Sequence, residues 1–122
     1  MAKDVIFRDV KEQSYYRLEN QDGGTREVDE AAVEEYLEAI FDDPDQFIIL
    51  TPPKAQKGIR FIQARQDNDD RQIEVELALQ VEGGIRLYYK MVSPSQCYRI
   101  FMDYFDNAFS PNMAEYQPVE FP

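Results

Sequence analysis

The sequence predicts an α+β fold, a mainly antiparallel β-sheet with two amphipathic helices packed on one face, in the order ββαββββα. Three observations carry this. Val28 to Phe41 and Ser93 to Phe109 repeat apolar residues at helical spacing behind clear start signals. Between them the period changes to two. Glycine pairs at Gly23-Gly24 and Gly83-Gly84 mark turns beside apolar runs.

Taken in order, Ser14 to Glu19 reads as a strand that turns at Gly23-Gly24 into a short second one, with Val5 to Arg8 as an extra edge strand. The first helix places Val33, Tyr36, Leu37, Ile40 and Phe41 at i, i+3, i+4, i+7 and i+8. Asp29 suits its N-cap, Val28 and Val33 form a hydrophobic staple, and Asp42-Asp43-Pro44 ends it. Gln46 to Leu50 is a short apolar strand, closed by Thr51-Pro52-Pro53.

Gly58 to Arg65 reads as the next strand, and a four-residue loop pairs Ala64 with Ile73 and Ile62 with Val75 on the core face, leaving Ile59 and Phe61 outward. In the following hairpin, Ile73, Val75, Leu77, Leu79 and Val81 alternate with more polar residues, as do Ile85, Leu87, Tyr89 and Met91. A three-residue loop, Glu82-Gly83-Gly84, brings both apolar sets to one face, pairing Leu79 with Leu87, Leu77 with Tyr89 and Glu76 with Lys90. This register lines up Ile59, Ala78 and Tyr88 with Phe61 on the outer face, an apolar patch with a charged rim.

Ser93-Pro94-Ser95-Gln96 is a capping box with proline at the first helical position, so the second helix starts there. Its apolar side chains span roughly 200°, about twice the usual stripe. The flank Tyr98, Met102 and Phe109 therefore needs cover, from the C-terminal tail through Tyr116 or Phe121, or from a second subunit. The two helices and the hairpins before them align at a constant offset, the pattern of two related units.

The chain has 122 residues, 43% of them hydrophobic, enough for one domain over residues 1–109 followed by an extended Pro-containing tail over 110–122. It carries 24 acids against 13 bases, a formal charge of −11, which argues against nucleic acid and anionic membranes as partners and for a basic protein. Histidine is absent, which removes most Ser-His and Cys-His nucleophilic chemistry and His-based metal centres. Asp67-Asn68-Asp69-Asp70 opens like a calcium loop but has Gln72 where glycine is required and Ala78 where a bidentate glutamate belongs. Neither a metal nor another cofactor is expected, and no residue is assigned a catalytic role.

Cys97, the lone cysteine, lies on the apolar stripe of the second helix as a small hydrophobe and fits a reducing cytoplasm. Glu34, Glu35, Glu38 and Asp42 form an acidic face on the first helix with no basic residue at i+4 to relieve them. The expectation is a small, acidic, cytoplasmic, non-enzymatic protein that binds a basic protein, as inhibitors, immunity proteins and secretion chaperones do, and that is a monomer rather than a homodimer. Its docking residues are Glu34, Glu35, Glu38, Asp42, Ile59, Phe61, Tyr88, Tyr98, Met102 and Phe109. The alternatives are a carboxylate-based enzyme and an inhibitor that mimics nucleic-acid phosphates.

Overall fold

A computed structural model describes residues 15–25, 27–67 and 72–120. The elements are β1 (Arg17–Asn20), β2 (Gly23–Thr25), α1 (Glu30–Asp42), β3 (Phe47–Thr51), β4 (Ile59–Gln66), β5 (Ile73–Val81), β6 (Gly84–Val92), α2 (Pro94–Phe105), a 3-10 turn (Met113–Glu115) and β7 (Gln117–Pro118). The strands form one antiparallel sheet in the order β2-β1-β3-β4-β5-β6-β7. The α+β architecture and its order are therefore as the sequence predicts. The extra edge strand over Val5 to Arg8 lies outside the described residues.

Both helices start where their caps direct. The Asp29 side chain accepts the Ala32 amide at 2.8 Å. Ser93 accepts the Gln96 amide while the Gln96 side chain accepts the Ser93 amide, closing the capping box. Each arrangement satisfies helix donors that would otherwise lack partners, worth about 1 kcal/mol. α2 ends four residues before the predicted Phe109. Asn107 takes the left-handed conformation at φ 58°, and the amides of Asn107 and Ala108 donate to the carbonyls of Tyr104 and Asp103. That pattern is a Schellman stop, with asparagine where glycine is commoner.

The inner face of the sheet carries the main core. Val33, Leu37 and Ile40 of α1 and Cys97, Phe101 and Tyr104 of α2 pack on Leu18, Ile48, Leu50, Ile62, Val75 and Leu77, all of them buried. The predicted core faces of β4 and β5 are both correct, but their pairing is two residues out: Ala64 faces Val75 and Ile62 faces Leu77, because the connection runs from Asp67 to Gln72 rather than over four residues.

The β5–β6 register differs in kind. The connection is Glu82-Gly83, with Gly83 at φ 87°, so Val81 pairs with Gly84, Leu79 with Arg86, Leu77 with Tyr88 and Glu76 with Tyr89. One residue of slip turns the whole apolar set of β6 to the outer face. There Ile85 and Leu87 join Phe61 and Ala78 in a second, smaller core, with Ile49 and Val119 against it. The expected register assumed a single core; the sheet has a core on each side at this end.

The segment after α2 makes this second core workable. It crosses the β6 edge, pairing Tyr88 with Pro118 and Tyr89 with Gln117, and the Val119 amide donates to the Leu87 carbonyl at 2.9 Å. Tyr116, 8% exposed, inserts on the inner side, while Val119 covers the outer side. Lys90 extends over the Tyr116 ring at 5.6 Å and ion-pairs with Glu115. Residues 110–120 thus clasp the sheet edge.

Candidate functional site

The structure scatters the predicted docking residues over four environments. Ile59 is 2% exposed in the main core, because a bulge between Ile59 and Phe61 reverses its face. Its carbonyl accepts the Tyr104 hydroxyl at 2.8 Å. Phe61 does face outward but is buried beneath the second core. Tyr88 lies on the inner face against the main core, as the register requires. Phe109, beyond the end of α2, turns back edge-to-face on Tyr104 with ring centres 6.2 Å apart. The outer-face patch of Ile59, Ala78 and Tyr88 therefore does not exist, and Phe109 leaves the flank of α2.

Four of the predicted residues do converge. α1 and α2 lie side by side on the sheet and leave between them a groove of about 600 Å³, lined by Glu34, Glu38 and Phe41 from α1 and Tyr98, Met102 and Asp103 from α2, with Arg99 and the first-turn residues Pro94 and Ser95. Glu34 and Glu38 share one edge of α1 because they are four residues apart, and Tyr98 and Met102 share an edge of α2 for the same reason. The Tyr98 hydroxyl donates to Glu34 Oε2 at 3.4 Å, and its ring remains 39% exposed. Desolvation, then the charges of Glu34 and Glu30, raise the Tyr98 phenol above its ordinary pKa, so it stays neutral and a donor at physiological pH.

The expected cover by Tyr116 is not made: Tyr116 inserts elsewhere, with Cys97 among the groups around it, and Tyr98 and Met102 stay accessible along the groove beside α1. Burial and then Glu115 push the Tyr116 phenol up to about 12. Phe121 lies outside the described residues. Three carboxylates against one guanidinium leave the groove negative, over a floor of aromatic and thioether side chains. Glu35 and Asp42 are exposed on α1 but do not line it.

Sequence reasoning missed a second concavity. On the outer face, beyond the reach of Val119, Phe47 and Ile49 of β3, Gln63 and Arg65 of β4, and Glu74 and Glu76 of β5 surround a cleft of about 330 Å³. Arg65 pairs with Glu74 at 3.4 Å, and the Gln63 amide donates to Glu76 Oε1 at 2.5 Å. Burial first, and then a hydrogen bond that the protonated Glu76 carboxyl donates to Glu74, raise the Glu76 pKa to about 7. The signal was present, since Glu74 and Glu76 alternate with Val75 and must share a face, but only the correct β4–β5 register sets them opposite Arg65 and Gln63.

Burial raises the Cys97 thiol well above its usual range, so it is a poor nucleophile. Among the described residues no group of three or more acidic or cysteine side chains could hold a metal ion, and no helix is long and apolar enough to cross a membrane. The chain has no significant match among protein-family models, characterised proteins or solved structures.

Proposed function

We propose that this protein acts by binding a basic protein, and that the α1–α2 groove is where the partner docks. The observation that carries the reading is the groove's composition: Tyr98 and Met102 offer accessible apolar surface, and Glu34, Glu38 and Asp103 surround it with charge. Apolar centres with polar rims are the anatomy of protein interfaces, and tyrosine and methionine are enriched there. A cationic segment laid between the helices meets carboxylates on both sides while its apolar stems cover Tyr98 and Met102. The overall charge of −11 steers a basic surface toward it.

The test begins with proteins that co-purify with the chain from its native host at low salt. The Glu34→Lys/Glu38→Lys double variant should slow association with a basic partner about tenfold or more, and Glu35→Lys should act far more weakly because Glu35 lies off the groove. Equal association rates for the wild type and the double variant would eliminate the groove as the docking site.

The carboxylate-enzyme reading has one feature on its side, the Glu74–Glu76 pair in the outer cleft. Arg65 pairs with Glu74 and the Gln63 amide donates to Glu76, so both carboxyls already have partners within the sheet.

A further inference from the structure

We infer that the outer-face cleft between Phe47 and Glu76 is a binding site for a small organic cation with an apolar body, such as an aryl-alkyl ammonium. Nothing in this rests on the α1–α2 groove, which lies on the opposite side of the sheet.

The cleft combines what such a ligand needs. Its volume, about 330 Å³, lies at the small end of ligand-binding cavities. One wall is apolar, formed by Ile49 and by Phe47, one of the two large hydrophobic residues left exposed among those described. The phenyl face there is free to accept a cation or stack an aromatic body. The opposite wall is polar and out of balance: two carboxyls, Glu74 and Glu76, against one guanidinium, Arg65.

Arg65 ion-pairs with Glu74, and Glu76 accepts the neutral Gln63 amide, so two carboxyls share one guanidinium. The charged groups facing Glu76 are Glu74 on its own strand and Arg65 on β4; Tyr89 on β6 is its cross-strand neighbour, and β3 contributes only Phe47 and Ile49. Lys90 projects to the other face, where Glu115 holds it. Near neutral pH the carboxyl pair keeps a proton, since a second charge there would be poorly solvated. An ammonium head placed between Phe47 and Glu76 supplies the missing counter-charge and displaces that proton to solvent.

Protons, charge and shape are separately measurable. The probe is phenethylammonium, its neutral control phenethyl alcohol, and the readout is amide chemical shifts of the full chain with calorimetry in two buffers of different ionisation enthalpy. Phenethylammonium should bind with a Kd of about 1 mM at pH 8, shifting the amides of Gln63, Arg65 and Glu76. Affinity should rise severalfold from pH 6 to pH 8, with net proton release between pH 6 and 7. Glu76→Gln should weaken binding about tenfold and abolish the pH dependence. Phe47→Ala, at an exposed position that does not threaten folding, should weaken it severalfold. Equal affinity for the alcohol and the ammonium would overturn the inference. So would wild-type binding that is flat in pH, or shifts confined to residues away from the cleft.

Discussion

The two faces of the sheet are built from the same alternating strands and end in different states. The inner face is roofed by two helices of 13 and 12 residues and completed by Tyr116, and its centre is a continuous apolar core. Among the described residues Val119 is what crosses the outer face, and four buried residues make its core. Away from Val119 it opens into a cleft in which charged and aromatic side chains mix. Complete cover permits only packing, whereas partial cover leaves polar groups half-desolvated, which is where ionisation and binding energies shift most.

Matched deletions in the two cores test that contrast most strongly. Leu77→Ala, on the inner face, should destabilise by about 3–5 kcal/mol, and Leu87→Ala, in the outer cluster, by about 2 kcal/mol, because the sparse outer shell can collapse or admit water. Denaturant titration measures both. Equal losses would mean that the outer cluster is as closely packed as the main core.

Removal of everything after Ser110 takes away Tyr116, the Lys90–Glu115 ion pair and Val119 together. A loss of about 3 kcal/mol is expected, mostly from the aromatic ring and the valine, since a surface ion pair contributes little. The oligomeric state should be unchanged, because the exposed part of the α2 flank lines the groove beside α1 and gains no new exposure when the tail is removed. Formation of dimers by the shortened chain would show that the clasp also shields a self-association edge.

The smallest effect sharpens the outer face itself. Glu76 binds its proton more tightly folded than unfolded, with a folded pKa of about 7 against an ordinary 4.5. Between those values the native state holds more protons, so stability falls as pH rises through the window and stays low above it. The full linkage is at most about 3 kcal/mol, and access to water at the cleft reduces it. Glu76→Gln should therefore stabilise the protein by about 1–2 kcal/mol at pH 8 and hardly at all at pH 4. Thermal unfolding of both chains from pH 4 to 8 checks this. Parallel curves would place Glu76 in ordinary solvent.

Local chemistry determined a large part of this protein. Asp29 and the Ser93–Gln96 box set both helix starts, because capping involves only neighbours in the chain, and alternation marked β5 and β6 as strands and the inner face of β5. Tertiary structure decided what depends on partners distant in sequence. Ile85 and Leu87 alternate as well for one face as for the other, and it is Phe61, Ile49 and Val119, all distant in sequence, that make the outer face dry enough to hold them. A bulge turned Ile59 inward, and Asn107 halted α2 before Phe109 could join its flank. The groove was half legible, since Glu34 with Glu38 and Tyr98 with Met102 are each set by helical spacing, yet their meeting depends on how two helices pack over one sheet. Spacing along a chain assigns a side chain to a face, but which faces are covered, and by what, follows from burying the most apolar area at once, a condition on the whole molecule.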